Sequence, residues 1–321
     1  MRKSTLELFC RAAVLTLAVV ACGRPLFAQS GSGAKTPYVI FVNPLVGNPV
    51  FTAEENGFKK AAAEFNFKLK IIGPSTIDDT QMVQAVESAI AERPAAIATV
   101  PYNFSALENT YKKAAALGIP IFNSSSDSPE ATRVVYVGTD NTQYGIMAAD
   151  YLAKKTGAKA AIAIMLVRLD ISNQLQQKKA FEARIAEKYP GMKVVITEQD
   201  GGDPMAAVQK FQDIYKAHPE VNAILCLDSV CCDAAALVTN EMKLAGKTAI
   251  LAIDDNASTL DYIRKGITWA TMAQNFYKMG YVSGKYIVDK LNGRPVPSYS
   301  DSGTVLITKG NVDTYKDAML K

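Results

Sequence analysis

Short apolar runs that alternate with helical patterns are the feature that most limits what this chain can fold into. Runs of strand length, such as residues 38–42, 96–100 and 160–166, consist almost entirely of Val, Ile, Leu, Ala and similar apolar residues. Continuous apolar runs are typical of strands that helices cover on both faces, which means a parallel sheet with right-handed crossovers. The sequence therefore predicts an α/β fold.

The predicted strands form two series of five. The first series is residues 38–42, 69–72, 96–100, 119–123 and 134–137, and the second is 160–166, 193–197, 223–227, 249–253 and 269–273. Between them, apolar residues at three- and four-residue spacing predict helices, for example over 53–65, 80–92 and 106–117. The stretch "ERPAAIATVPYNFSALENTYKKAAALGIPIFNSSSD" has the same layout as "HPEVNAILCLDSVCCDAAALVTNEMKLAGKTAILAIDDN". Two similar halves predict two α/β domains joined by short connections.

The first 28 residues read as a secretory signal. A basic head with Arg2 and Lys3 precedes a short apolar segment over residues 12–21, which is too short to span a membrane. Cleavage after Ala28 is one route, and lipid modification of Cys22 after "VVA" is the other. Both routes predict a mature protein outside the cytoplasm, in the periplasm or on the extracellular face of the membrane, either soluble or held by a lipid anchor.

Charge and composition exclude several functions. Removing residues 1–28 takes away four basic residues and one acidic residue, so the net charge of +4 falls to +1. A net charge this small does not indicate nucleic-acid binding, which needs Lys and Arg side chains clustered on one face. The single histidine, His218, lies in "KAHPE" and can sustain neither a catalytic triad nor a zinc site. No G-x-S-x-G, H-E-x-x-H or phosphate-loop motif occurs, so we expect neither an enzyme, a metal nor a cofactor.

Three cysteines follow the signal segment: Cys226, Cys231 and Cys232. An odd count in an exported protein is compatible with one bridge and one free thiol. Adjacent cysteines do not pair easily, and Cys226 lies in an apolar strand. We therefore expect three small, largely buried thiols.

Polar residues at the ends of the predicted strands are the candidate ligand-binding residues. Open parallel sheets bind ligands beyond the carboxyl ends of their strands, and two facing domains bring such residues to one cleft. Planar amides and carboxylates hydrogen-bond hydroxyl groups well, and an aromatic ring covers the C–H face of a sugar. The candidates are Asn48, Phe51, Asn123, Asp228, Asp254 and Gln274.

Each candidate also has a structural interpretation. Asp228 and Asp254 are placed to cap the helices that follow them, and turn chemistry accounts for an Asn at position 123. Phe51 is equally suited to the core, packed against the first helix. Gln274 is the most informative candidate, because a Gln that closes a strand needs a partner.

Seven stretches together resemble a known family. They are "NPVF", "GIPIFNS", "VVYVGTDNTQYG", "AHPEVNAILCLD", "ILAIDDN", "ITWATMAQN" and "GTVLITKGNVDTY". Their order and spacing are similar to those of the type I periplasmic substrate-binding proteins, in the ribose/galactose/xylose-binding branch that serves ABC transporters. The resemblance covers essentially the whole chain after the signal segment.

The resemblance implies two Rossmann-like lobes with a ligand held between them. It implies an N-terminal lobe of residues 36–138 plus 275–303 and a C-terminal lobe of 139–274 plus 304–321, joined by three hinge crossings. It assigns the stacking ring to Phe51 and ligand hydrogen bonds to the other five candidates. The bacterial sugar-responsive repressors share these lobes, but they carry a DNA-binding segment where this chain has its signal.

Two departures from the family pattern concern the second lobe. The family usually places an Arg at the start of the helix that here reads "NQLQQKKAF", where this chain offers Asn173, Gln174 and Gln177, with Arg168 just upstream. Gln174 and Arg168 are added as secondary candidates for ligand binding. The facing aromatic of the second lobe is replaced in "DGGDP", near Gly202. The ligand is therefore expected to be a small sugar, or else a related polyol, nucleoside or signalling furanose.

The resemblance also implies the partners. We expect a monomer that delivers its ligand to an ABC permease, with a chemoreceptor as a second candidate partner. An exported α/β hydrolase and a sensor that passes ligand state to a kinase are the alternatives from other classes.

Overall fold

The structure is a computed structural model that describes residues 35–315. The predicted signal segment, with its alternative processing points at Cys22 and Ala28, lies outside the described residues. Within the described range, residues 36–315 form one compact unit. No helix in the described part is both long enough and apolar enough to cross a membrane.

The first lobe is built on a six-stranded parallel sheet. Its strands, in the order in which they pair across the sheet, are β11 (Tyr299–Asp301), β5 (Tyr136–Gly138), β4 (Ile121–Ser124), β3 (Ala96–Thr99), β1 (Tyr38–Val42) and β2 (Lys68–Ile72). Helices α1 (Pro49–Phe65) and α9 (Phe276–Leu291) cover one face, and α2 (Asp79–Ala91) and α3 (Phe104–Ala116) cover the other. Strands covered on both faces explain why their sequences are apolar throughout.

The second lobe repeats this arrangement. Its sheet has the order β12 (Thr304–Thr308), β10 (Ala270–Gln274), β9 (Ala249–Ile253), β8 (Ala223–Cys226), β6 (Ala160–Leu166) and β7 (Met192–Gln199). The helices packed on it are α4 (Asn141–Thr156), α5 (Ser172–Lys188), α6 (Pro204–Ala217), α7 (Ser229–Glu241) and α8 (Ala257–Arg264). All strand pairs are parallel except β12 with β10. The predicted α/β fold with two parallel-sheet lobes is confirmed.

The chain passes between the two sheets three times. It leaves the first sheet after Gly138, returns to the first lobe after Gln274, and crosses again between Asp301 and Thr304. Each passage is only a few residues long. These short crossings are the hinge strands that the resemblance implies for the fold.

All ten predicted strands are present, with ends that shift by up to two residues. Strands β11 and β12 were not predicted. Both lie at sheet edges, β11 has three residues, and their side chains are mostly exposed or half-buried. A short edge strand carries little of the apolar pattern that identifies buried strands, and this explains the omission.

Helices α1 and α9 approach each other unusually closely. A Cβ atom on Gly57 would lie 2.1 Å from the carbonyl oxygen of Tyr277, and one on Gly280 would lie 2.0 Å from that of Glu54. Only glycine allows two helix backbones to come so close. The contact fixes the start of α1, and with it Phe51, against the start of α9.

The expectation of three free cysteines is wrong. The structure joins Cys226, at the end of β8, to Cys231 in the first turn of α7, and Cys232 alone is a free, buried thiol. The tight passage from β8 into α7 brings the two side chains together, with 5.7 Å between their Cα atoms. The bridge therefore closes the turn that carries Asp228.

Candidate functional site

A cavity lies between the two lobes at the carboxyl ends of their strands. Its volume is about 120 Å³. In each sheet it lies where the strand order reverses, between β1 and β3 in the first and between β6 and β8 in the second. A single water needs only about 10–15 Å³ of such space, so the cavity has room for a small organic molecule.

The first lobe contributes an aromatic wall. Phe51, Tyr102 and Phe276 line the cavity. The Phe51 ring packs edge-on against Tyr102, with 6.0 Å between ring centroids, and against Phe276, with 5.8 Å. Phe51 is 2% exposed although it faces a cavity, because the second lobe covers the mouth. Three rings that hold one another in place form a rigid apolar surface.

The second lobe contributes a polar wall. Its hydrogen-bonding side chains at the cavity are Asn173, Gln174, Asp228, Ser229, Asp254 and Gln274. All of them lie at strand ends or in the first turns of the helices that follow. The cavity therefore has its aromatic rings on the first-lobe side and its carboxylates and most of its amides on the second-lobe side, while Asn48 and Ser125 of the first lobe add polar groups.

Asp254 is held in position by an unusual backbone conformation and a glutamine. Its φ of 64° is in the left-handed region, which non-glycine residues seldom adopt. Its Oδ1 accepts a hydrogen bond of 3.0 Å from Nε2 of Gln274, whose Oε1 accepts one of 2.7 Å from Thr139. Helix α8 begins only at Ala257, and Asp254 does not cap it. Gln274 thus has the partners that its position at a strand end required.

Asp228 combines the two functions that the sequence left open. Its Oδ1 accepts a hydrogen bond of 2.8 Å from the backbone N–H of Cys231 and so caps helix α7. Its side chain also lines the cavity, and within residues 35–315 its Oδ2 accepts no hydrogen bond from a donor group. Asn48 behaves similarly, because its Oδ1 caps helix α1 through Val50 while the residue lines the cavity.

Burial raises the pKa of the carboxyl groups at the polar wall. The pKa of Asp254 rises to about 7, mainly because burial disfavours its charged form. The pKa of Asp228 rises well above its usual range through burial and the nearby carboxyl of Asp200. The pKa of Asp200 is raised to about 6, again mainly by burial. The hydrogen bonds that Asp254 accepts from Gln274 and Asp228 accepts from Cys231 offset this rise in pKa only in part.

The structure brings six of the eight predicted residues to the cavity: Asn48, Phe51, Gln174, Asp228, Asp254 and Gln274. Gln174 accepts a hydrogen bond of 3.0 Å from the N–H of Val167, which turns its side chain toward the end of β6.

Asn123 is not among the residues that line the cavity. Its Oδ1 accepts a hydrogen bond of 2.8 Å from Tyr111, and its Nδ2 donates to Ser128 at 2.6 Å. It is fully buried within the first lobe. Ser125, two residues further on, lines the cavity instead.

Arg168 is the second candidate that the structure places elsewhere. Its Nη2 donates to both carboxylate oxygens of Asp79, at 3.0 and 2.9 Å, and its Nε donates to Asp170 at 2.8 Å. Asp79 begins helix α2 of the first lobe, whereas Arg168 follows β6 of the second. The guanidinium group therefore joins the two lobes.

Several residues at the cavity were not among the sequence candidates, including Tyr102, Ser125, Ser229 and Phe276. Tyr102 follows β3 in "TVPYN", so the signal that indicated Phe51, an aromatic just beyond a strand, was also available here. Phe276 follows Gln274 by two residues and opens helix α9.

The side chains that line the cavity are apolar groups, amides, carboxyls and hydroxyls. None of its lining residues in the described chain is His, Lys, Arg or Cys. His218 is in a surface turn, with its Nδ1 3.2 Å from Glu220. The described residues contain no group of three or more His, Cys, Asp or Glu side chains placed to hold a metal ion.

A closed cavity between two α/β lobes, with rings on one wall and carboxylates and amides on the other, defines a protein that binds a small molecule in its cleft. Residues 39–295 match the periplasmic binding protein domain, and the chain belongs to this family. The family consists of binding proteins.

Relatives with known names support this assignment. The chain is 25% identical to the ribose import binding protein RbsB of Bacillus subtilis, over 88% of this chain and 93% of that protein. Its structure is similar to that of GanP, a glucose-galactose binding protein from Geobacillus stearothermophilus, with a TM-score of 0.84 and 28% identity over 86% of this chain and 99% of the other. It is equally similar to an ABC transporter solute-binding protein from Burkholderia graminis in complex with D-arabinose (TM-score 0.84, 28% identity, 89% and 100% coverage).

Proposed function

We propose that this protein binds a small sugar in the interlobe cavity and delivers it to an ABC permease outside the cytoplasm. The observation that carries the proposal is the division of the cavity into an aromatic wall and a wall of carboxylates and amides. A sugar has the matching surfaces, with apolar C–H groups on its faces and hydroxyl groups around its edge. Relatives named for ribose import and glucose-galactose binding support this ligand class.

Sugar selectivity would come mainly from the second lobe. Asp228 and Asp254 accept hydrogen bonds from hydroxyl groups, while Asn173 and the amide groups of Gln174 and Gln274 both donate and accept. In a dry cavity, a hydroxyl of the wrong configuration leaves one of these groups unpaired, at a cost of ~1–3 kcal/mol. Phe51 and Tyr102 would cover either face of the ring with little selectivity.

The proposal treats the lobes as rigid bodies that open and close. We assign residues 36–138 with 275–303 to one body and 139–274 with 304–315 to the other, and residues 316–321 of the predicted second lobe lie outside the described residues. Each lobe has its own apolar core, and the described chain passes from one lobe to the other only through three short crossings. Ligand contacts from both lobes exist together only in the closed form, so the ligand shifts the population toward that form.

The Arg168–Asp79 ion pair is expected to stabilise the closed form. Because it joins the lobes, Arg168→Gln should weaken ligand binding by about two- to fivefold, mainly through faster dissociation. The matched control is Arg184→Gln, which removes a similar ion pair with Asp150 inside the second lobe. Stopped-flow dissociation rates check the prediction. Equal dissociation rates for the two variants would contradict it.

Calorimetric titration against pentoses, hexoses and polyols tests the proposed function, with scattering measured before and after saturation. We expect one-to-one binding of at least one sugar, no product on prolonged incubation, and a smaller radius of gyration in the saturated sample. Turnover of the sugar would instead support an exported hydrolase. Binding without compaction would retain the sugar site but reject the hinge.

A further inference from the structure

The charged side chains that line the cavity in the described chain are all acidic. Asp228 and Asp254 line it, and the carboxyl group of Asp200 is near enough to Asp228 to raise the pKa of Asp228 further. No Lys, Arg or His of the described chain lines the cavity. The nearby guanidinium of Arg168 is already paired with Asp79 and Asp170. The protein therefore provides no cation of its own to balance these carboxylates.

In Asp228 and in Asp200, one carboxyl oxygen accepts a hydrogen bond from a backbone N–H and so stabilises the local fold. Oδ1 of Asp228 caps helix α7, and Oδ1 of Asp200 accepts a hydrogen bond of 2.8 Å from the N–H of Gly202. In residues 35–315 no donor group reaches the Oδ2 atom of either residue. Asp228 is 7% exposed and Asp200 is 3% exposed, so water satisfies little of this capacity.

Two buried carboxyl groups so close together are costly to ionise without a cation. A proton shared between them is one solution, and it agrees with the raised pKa of Asp228 and Asp200. A ligand that carries a positive charge is the other. An ammonium group has three N–H donors and a full charge, which suits an unpaired carboxylate in a dry cavity.

We propose that the preferred ligand is an amino sugar, and that Asp228, supported by Asp200, is the subsite that binds its ammonium group. The inference rests on the proposed function, because it assumes that a monosaccharide occupies this cavity. The aromatic wall and the amides would bind the rest of the sugar. Asp254 lies on the same wall and adds to the negative potential there.

Matched pairs of sugars test the proposal. D-glucosamine, D-galactosamine and D-mannosamine are titrated by calorimetry beside D-glucose, D-galactose and D-mannose, at a pH where the amines are protonated. We expect at least one amino sugar to bind 30-fold or more tightly than its neutral counterpart. The N-acetylated form, which has no charge, should lose this advantage.

Asp228→Asn is the informative variant, because Asn also caps helices well and should preserve α7. The preference for the amino sugar should fall below about fivefold, with a much smaller change for the neutral sugar. Asp233→Asn, on the same helix but away from the cavity and bonded to Ser258, should leave the preference unchanged.

Three results would overturn the inference, and they differ in what else they reject. A neutral sugar that binds as tightly as its amino form rejects the ammonium subsite and leaves the sugar-binding function intact. Failure of every sugar to bind rejects both. Stabilisation by calcium chloride alone in a thermal-shift assay would show that the carboxylates form a divalent-cation site instead.

Discussion

Replacing Asp254 with Ala is expected to weaken sugar binding by ~2–4 kcal/mol, which corresponds to an affinity loss of about 30- to 1,000-fold. The variant removes a charged hydrogen-bond acceptor from a closed, dry cavity. It also deprives Gln274 of the partner that holds its amide at the polar wall. Calorimetric titration with the best-bound sugar of the panel measures the effect.

Two further variants test whether the lower affinity comes from the missing carboxylate at the cavity. Asp254→Asn should cost less, about 1–2 kcal/mol, because Asn tolerates the left-handed backbone and can still accept the bond from Gln274. Asn123→Ala should lower the free energy of unfolding by ~1–3 kcal/mol, since it leaves Tyr111 unpaired in the core, but the folded variant should bind normally. If Asp254→Ala binds normally and Asn123→Ala does not, the cavity is not the sugar site.

Glu54→Gln is expected to stabilise the protein strongly at alkaline pH. Glu54 is fully buried in helix α1, and burial raises its pKa from 4.5 to about 8. Between these two values the folded state binds a proton that the unfolded state has lost, so the wild-type free energy of unfolding falls as the pH rises. The fall stops above about pH 8, where both states are ionised.

The glutamine variant has no such loss. We expect it to match the wild type near pH 4.5 and to exceed its free energy of unfolding by roughly 3–5 kcal/mol at pH 9, at about 1.4 kcal/mol for each pH unit. Urea unfolding at the two pH values provides the measurement. The exposed Glu108→Gln serves as the control, with little change at either pH. Equal stability of Glu54→Gln and wild type at pH 9 would show that Glu54 is not desolvated.

The buried parts of the fold were predictable because burial leaves a pattern in the sequence. Strands such as Tyr38–Val42 and Ala249–Ile253 are buried on both faces, and their predicted limits agree with the structure. The edge strands Tyr299–Asp301 and Thr304–Thr308 contact fewer apolar groups and leave no such pattern. The disulfide could not be predicted either, because it depends on the local path of the chain between β8 and α7.

Residues of the candidate site could be predicted where the sequence indicated the end of a strand. Asp228, Asp254 and Gln274 follow strands directly, and the structure places them at one cavity. The structure places Asn123 two residues before the cavity, because β4 continues to Ser124 and the first residue of this segment to line the cavity is Ser125. Arg168 was predicted at the cavity, but it pairs with Asp79 of the other lobe. No local sequence pattern reveals a contact between the lobes.

The close contact of α1 with α9 has a consequence for the order in which this protein can be built. Helix α1 is among the first elements of the chain, but the glycine-mediated contact that covers it comes from one of the last. Until Phe276 and the residues after it have been synthesised, the apolar face of α1 and the edge beside β5 remain without their neighbours. Contacts between such distant segments form slowly. The first lobe therefore cannot mature ahead of the second during translation, because its native packing needs α9, which is synthesised after most of the second lobe.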